Sequence, residues 1–298
     1  MSTGRARVAA ATVPGAVHLR NGRRNQDAVA WLPAGGEGER VVMAVSDGHG
    51  SAASPRSALG SAVAVNVTTE VLWQLPHLVT DDVVERAVAS IVDKWTRMVS
   101  THLERNPLTP AELEEAGVPP STGTTVIPQR PTVTYGATLL FAVVSSQQLV
   151  LGQIGDGDVL LVGADGRAVR PLPLDARLVA HVTTSLSDDD AVSSTRTMVL
   201  DPADNRLVLL SSDGYANSFA TDDAFLQVGC DVLRTVEEQG IGPVRQSLPG
   251  WLAETTLHGS GDDISVAIAV LDRLPPTSDL DGDTHRVRGW RRKAVGPA

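Results

Sequence analysis

Asp27, Asp47, Asp156, Asp213 and Asp263 each stand beside the end of an apolar run, and three of the five touch a glycine. The clearest case is Val41-Val42-Met43-Ala44-Val45-Ser46 running into Asp47-Gly48-His49-Gly50. A short Val-rich run bounded by glycines predicts a buried strand rather than a helix. The strand therefore delivers a carboxylate and an imidazole onto a turn that glycines permit. Arg206–Ser212 feeds Asp213-Gly214 in the same way, and Gln148–Ile154 feeds Gly155-Asp156-Gly157-Asp158. One turn aspartate at a strand end is ordinary. Five of them on separate runs predict carboxylates gathered at one end of a sheet. Such a group cannot be ionised together without a strong counter-charge. A divalent cation supplies it, and oxygen-only ligands favour Mn²⁺ or Mg²⁺ over Zn²⁺. Two such ions about 4 Å apart can deprotonate a water, hold it in line and neutralise a phosphoryl group.

The elements that must position these acids follow from the pattern of apolar residues. Val8 to Val17 reads as a first strand, Asn21-Gly22 as a turn and Asp27 to Trp31 as a second strand. Ala58 to Leu72, rich in Ala and Val, predicts a helix. Thr80-Asp81-Asp82 predicts the start of another, with Val84, Val88, Ile91, Trp95 and Met98 on one face and Asn106-Pro107 as its end. Tyr135 to Val144 and Leu149 to Val162 read as strands, and Ile264 to Leu271 as the last one. Between them, Thr221-Asp222-Asp223 opens a helix with Phe225, Val228, Val232 and Val236 inside, and a further helix around Val244 to Thr256 is kinked by Pro249. Strands and helices arrive in blocks, which favours antiparallel sheets with segregated helices over a parallel βαβ winding. The expected organisation is one domain over residues 1–274. Residues 117–131 form a proline-rich loop insertion, 163–205 a flap-like segment, and 275–298 a disordered tail with a basic block at Arg286–Lys293.

Bulk properties exclude several classes. A net charge of -10 argues against a nucleic-acid-binding body. A single cysteine, Cys230, excludes a disulfide framework and a Cys-based zinc site, and points to a reducing compartment. No apolar run approaches the roughly 18 residues of a membrane span, and Pro14 cuts short the N-terminal apolar run, so a cytoplasmic location is expected.

In order along the chain stand Asn25-Gln26-Asp27, Asp47-Gly48-His49-Gly50, Gly136-Ala137-Thr138-Leu139, Gly155-Asp156-Gly157, Ser212-Asp213-Gly214 and Asp262-Asp263-Ile264-Ser265-Val266. This order resembles the metal-dependent Ser/Thr protein phosphatases of the type 2C family. Gly15-Ala16-Val17-His18 and Asp213-Gly214-Tyr215-Ala216-Asn217 look like a bacterial branch of it. The likeness covers about residues 8 to 272. It implies an α+β fold, a four-layer α-β-β-α sandwich with two central antiparallel sheets and metals in a channel at one edge. By the same likeness Asp47 bridges two metals and the Gly48 carbonyl binds the second. Asp213 and Asp263 complete the first, Asp27 stands near by through waters, and Asp156 with Asp213 holds a weaker third ion. His49 is the implied general acid. The implied activity is hydrolysis of phosphoserine and phosphothreonine by a dimetal-activated water, on phosphorylated proteins that are substrates of a Ser/Thr kinase, by a monomer.

The departures from the family pattern lie at the phosphate end. Gln26 stands where many relatives have Glu, Gly22 where many carry a phosphate-clamping arginine, and Asp158 where an arginine follows the third acid. His18, Arg20, Arg23 and Arg24 are the candidates to bind phosphate instead. These departures keep open a catalytically weak or inactive member that acts as a phosphoprotein-binding scaffold. A two-metal hydrolase of small phosphoesters or nucleotides is a third reading.

Overall fold

The computed structural model describes residues 4–115, 130–173, 175, 177, 183–202 and 204–272. The chain begins with β1 (Arg5–Val13), α1 (Ala16–Arg20), β2 (Ala28–Leu32), β3 (Glu37–Gly38) and β4 (Arg40–Ser46). Helices α2 (Ser57–Trp73), α3 (Asp81–Arg105) and α4 (Pro110–Glu115) follow, then a 3₁₀ turn at Pro131–Tyr135. Next come β5 (Leu139–Ser145), β6 (Leu149–Ile154), β7 (Asp158–Gly163), β8 (Ala168–Val169), α5 (Ala191–Ser194), β9 (Arg196–Leu200) and β10 (Asn205–Ser211). The chain closes with α6 (Asp213–Ala216), α7 (Asp222–Gln239), α8 (Ile241–His258) and β11 (Ile264–Asp272).

The strands form two antiparallel sheets, one in the order β3-β1-β11-β10-β7-β8 and the other β2-β4-β5-β6-β9. Side-chain parity along the strands explains why the sheets stack. Successive residues of a strand face opposite ways. In β4, Val42 and Ala44 pack against α2 and α3 in a core built around Ile91, Trp95 and Phe141. Val41, Met43 and Val45 face the other way and meet Val208, Leu210, Ala267 and Ala269 of the second sheet. On that sheet's outer face, Leu160, Leu209, Ile264, Val266 and Ile268 pack against Phe225, Val232, Val236, Leu248 and Leu252 of α7 and α8. Three apolar cores thus separate four layers. Both faces of each central strand are buried, which is why these strands read as continuous apolar runs rather than alternating ones. Among the described residues no helix is long and apolar enough to cross a membrane.

Several boundaries differ from those read in the sequence. The first strand stops at Val13 because the next backbone donors turn elsewhere. Gly15 N–H goes to Asp263 Oδ1 (2.6 Å) and Ala16 N–H to Thr256 Oγ1 (3.0 Å), so Ala16–Arg20 coils into α1. Tyr135 belongs to a 3₁₀ turn, not a strand. On α3 the buried stripe continues to Val99, while Met98 is half exposed. Residues 163–205 are only partly irregular, since Arg196–Leu200 is an edge strand paired with β6. Pro249 sits inside α8 without ending it. Most of the 117–131 insertion and the whole of the 275–298 tail lie outside the described residues.

Candidate metal centre

Strands β4, β6 and β10 end, and β5, β7 and β11 begin, at the same edge of the sandwich, as antiparallel neighbours require. There Asp47, His49, Asp156, Asp213 and Asp262 line a cavity of about 510 Å³, with Ser51, Thr138 and Thr183 beside them. Asp47 is fixed through its backbone. Its N–H donates to Thr138 Oγ1 (3.0 Å), and the Thr138 N–H donates back to the Asp47 carbonyl (2.8 Å). The next residue must be glycine. Gly48 N–H donates to the Gln26 carbonyl (3.2 Å), and a Cβ on Gly48 would stand 2.6 Å from that oxygen and 2.8 Å from the Ser57 carbonyl.

The electrostatics identify what the cavity lacks. Burial pushes the Asp47 carboxyl well above the usual range, and the charges of Asp27 and Asp213 push it further. Asp213 is raised by burial, opposed by its hydrogen bond with Asp47 and reinforced by Asp156 and Asp262. Asp27, only 8% exposed, is raised to about 8 by burial; Ser212 Oγ donates to its Oδ2 (2.7 Å) and opposes this, while the Asp263 and Asp213 charges add to it. Its Oδ1 is buried with no hydrogen-bond partner. Among the described residues, no arginine or lysine forms an ion pair with Asp27, Asp47, Asp156, Asp213 or Asp262. Carboxylates crowded together without a cation resist ionisation, and a divalent ion reverses that cost. The donor set is all oxygen, so the residues fit Mn²⁺ or Mg²⁺.

His49 stands on the cavity wall with its N–H donated to the Gly136 carbonyl (3.0 Å). Its Nε2 is buried and has no hydrogen-bond partner. Burial lowers its pKa, while Asp156 and Asp188 oppose that shift.

Of the two adjacent acids before β11, the one lining the cavity is Asp262, not Asp263 as expected from sequence. Asp263 is 3% exposed and its two oxygens are already engaged. Oδ1 accepts from Gly15 N–H (2.6 Å) and Oδ2 from Gln26 N–H (2.7 Å). A signal was present in the chain. The cavity acids Asp47, Asp156, Asp213 and Asp262 each have a neighbouring glycine, whereas Asp27 and Asp263 have none and lie buried behind. His18 turns to this acidic pair rather than to the cavity, with Nδ1 3.0 Å from Asp263 Oδ1 and Nε2 3.7 Å from Asp262 Oδ1. One ligand atom from each of the three lies within 4.8 Å of the others, a spacing that could hold a metal. Asp263 already accepts two backbone donors, so of the three it has the least free oxygen for a metal.

The arginines predicted to clamp phosphate stand elsewhere. Arg20 is exposed and lines neither this cavity nor its neighbours, and Arg23 and Arg24 line the cavity next to it. Gln26 Nε2 donates to Ser57 Oγ (2.8 Å). Asp158 is occupied by an ion pair with Arg170, which also reaches Asp222.

The sequence profile of the Protein phosphatase 2C family matches residues 14–253. No curated protein matches the sequence. Among solved structures, the chain is similar to the catalytic domain of the serine threonine protein phosphatase PstP in complex with two manganese ions. The identity is 19% and the TM-score 0.57, covering 91% of this chain and 99% of that one. It is also similar to the serine/threonine phosphatase Stp1 from Staphylococcus aureus, with 14% identity and a TM-score of 0.58 over 89% of this chain and 95% of the other. PppA of Pseudomonas aeruginosa, a regulatory component of a type VI secretion system, matches at 17% identity and a TM-score of 0.56. That match covers 90% of this chain and 98% of PppA.

Proposed function

This chain belongs to the protein phosphatase 2C family, and from that premise we propose that it hydrolyses phosphoserine and phosphothreonine on proteins with Mn²⁺ or Mg²⁺ bound. One observation carries the reading: Asp47, Asp156, Asp213 and Asp262, from four separate turns, line one cavity with no balancing arginine or lysine among the described residues. In this reading Asp47, Asp213, Asp262 and the Gly48 carbonyl hold two ions, and Asp156 with Asp213 holds a third. Asp27 backs the group from behind. The ions supply the positive charge that activates a water and neutralises the phosphoryl oxygens.

The rest falls to the chain's own side chains. His49, on the cavity wall, donates a proton to the departing serine or threonine oxygen. Burial favours its neutral form, and an arriving phosphate dianion favours the cation, so substrate itself loads the acid. No cysteine lies at the cavity to form a covalent phosphoenzyme; Cys230 packs on α7. The substrates are proteins phosphorylated by a Ser/Thr kinase.

A second reading has its own support. No arginine lines the metal cavity among the described residues, and a bidentate arginine is the strongest phosphate clamp available. A scaffold that binds phosphoproteins without turning them over is consistent with that absence. The deciding experiment follows phosphate release from a phosphothreonine peptide, with and without Mn²⁺, for the wild type and Asp213→Asn. Metal-dependent release that the variant lacks is expected. No release from folded, Mn²⁺-loaded wild type, together with phosphopeptide binding by calorimetry, would reject the enzyme in favour of the scaffold.

A further inference from the structure

A second cavity of about 510 Å³ lies beside the metal centre and shares Gly50 and Ser51 with it. Its walls carry Arg23, Arg24, Arg56, His102 and Glu112. Arg56 and Glu112 cancel one another. Arg56 Nε and Nη2 donate to the two Glu112 oxygens (2.7 and 2.9 Å), and this pairing holds the Glu112 carboxyl down at about 2. Arg56 is further tied to the Asn106 and Pro107 carbonyls and to Tyr135 Oη, so it is part of the frame. His102 Nδ1 is engaged with the same tyrosine hydroxyl (2.7 Å).

Arg23 and Arg24 differ. Both are exposed, and neither guanidinium has a hydrogen bond or ion pair among the described residues. Two uncommitted positive charges therefore face this cavity in a chain whose net charge is -10. A further cavity, about 740 Å³ and sharing Asp156 and Asp213 with the metal centre, offers no such pair among the described residues. There Arg170 is bound to Asp158 and Asp222, and Arg196 donates to the Pro173 and Gly155 carbonyls. Arg196 keeps its charge there but spends donors of both terminal nitrogens on carbonyls, so Arg23 and Arg24 are the pair beside the metal centre with free donors for an anionic group.

Resting on the phosphatase reading, we propose that Arg23 and Arg24 form a subsite for an anionic group flanking the phosphoresidue of the substrate peptide. That group is a carboxylate or a second phosphate. Taken as adjoining spheres of about 510 Å³ that meet at Gly50 and Ser51, the two cavities have centres about 10 Å apart, which about three extended residues span at about 3.3–3.6 Å each. The anion therefore sits about two or three residues from the phosphoserine or phosphothreonine at the metals. These are specificity-determining contacts, separate from the reacting phosphate.

The test uses the full chain and the double variant Arg23→Ala/Arg24→Ala with Mn²⁺. Three labelled phosphothreonine peptides differ only at the second and third flanking positions, which carry glutamine, glutamate or a second phosphothreonine. Both kcat/KM and Kd by fluorescence anisotropy are measured, with p-nitrophenyl phosphate reporting the reacting phosphate alone. Wild type is expected to favour the anionic peptides by about tenfold, as two charge-assisted contacts at a partly open site suggest. The preference shrinks at about 1 M salt, where the screening length falls to about 3 Å, and disappears in the double variant. The glutamate and phosphate arms show which anion fits better. Equal affinity and turnover for all three peptides in wild type would overturn the subsite. So would a double variant that loses p-nitrophenyl phosphate hydrolysis as steeply as peptide hydrolysis, because the arginines would then serve the reacting phosphate. If wild type turns over none of these substrates, the phosphatase reading fails, and the anisotropy preference alone still decides for or against the subsite.

Discussion

Asp262→Ala and Asp263→Ala change neighbouring residues and are expected to fail in opposite ways. The Asp263 carboxylate is 3% exposed and is the acceptor for Gly15 N–H at 2.6 Å and Gln26 N–H at 2.7 Å. Removing it leaves two backbone donors without a partner, at about 1–3 kcal/mol each. Relief of a buried charge beside Asp27 offsets part of this, which leaves about 3 kcal/mol. For a domain of this size each kcal/mol moves Tm by about 2–4 °C, so a fall of about 6–12 °C is expected. Asp262, with its side chain 53% exposed, accepts a local bond from Asp263 N–H (2.9 Å) and lies 3.7 Å from His18 Nε2, and its loss costs about 1 kcal/mol or less. Metal affinity runs the other way. Ions that bind only the folded chain stabilise it by about 2.7 kcal/mol at a hundred times Kd. That gain is expected to shrink strongly in Asp262→Ala and to persist in Asp263→Ala. Thermal unfolding with and without Mn²⁺, plus calorimetric titration at a temperature where both variants are folded, reads both quantities. A stable Asp263→Ala that no longer responds to Mn²⁺, beside an Asp262→Ala with wild-type response, would refute the assignment.

Two further outcomes follow from the same structure. For an acid whose folded pKa is raised, the folded state keeps a proton that the unfolded state has released, so stability falls as pH rises through the gap. Asp27, raised from 3.8 to about 8, and Asp47 and Asp213, raised in the same direction, place that fall between about pH 4 and 8 in the metal-free protein. Chemical denaturation in a chelator should show a loss of about 2–5 kcal/mol from pH 5 to pH 8, and Mn²⁺ should restore more at pH 8; metal-free stability that climbs over this range would contradict the electrostatic account. Separately, a Cβ on Gly60 of α2 would lie 1.9 Å from the Tyr135 carbonyl oxygen. Gly60→Ala should therefore force the Pro131–Tyr135 turn off the helix and cost about 3 kcal/mol or more in urea unfolding, and a cost under about 0.5 kcal/mol would show that the turn gives way freely.

Strand parity and turn glycines made most of this fold legible in advance. The run Val41–Val45 could be read as a buried strand, and Asp47-Gly48 as its delivery point, because both depend on residues adjacent in the chain. The two sheets and their helical layers follow from apolar runs with blocks of amphipathic helix between them. What escaped depends on contacts distant in sequence. Asp263 takes its bracing role from the Gly15 and Gln26 donors, more than 230 residues earlier, which converge on its carboxylate. The strand Arg196–Leu200 was hidden in a polar stretch, since an edge strand needs only one neighbour, here β6. Arg23 and Arg24 were legible as cations but not in direction. After α1 the backbone turns through Gly22 (φ 66°), and this carries them to the neighbouring cavity rather than to the metals.

The position of Asp263 also explains how an edge so rich in like charge stays assembled. Its carboxylate draws the loop containing Gly15 and the loop containing Gln26 onto the start of β11, and the Gln26 carbonyl in turn receives Gly48 N–H and Ser61 Oγ. Ser212, which precedes Asp213, accepts from Ser265 N–H and donates to Asp27. The turns that carry Asp47, Asp213 and Asp262 are thus braced largely through backbone groups and hydroxyls, while Asp213 Oδ2 accepts from Asn217 Nδ2 (3.0 Å) and Asp262 Oδ1 from Asp263 N–H (2.9 Å). Each of these two carboxylates keeps its other oxygen for a cation, and the repulsion within the group falls on a frame that the three apolar cores hold in place. This division predicts that metal removal shifts stability and its pH dependence while leaving the loop geometry intact. It also separates Asp263, which braces the edge through the Gly15 and Gln26 donors, from Asp47, Asp213 and Asp262, which line the cavity.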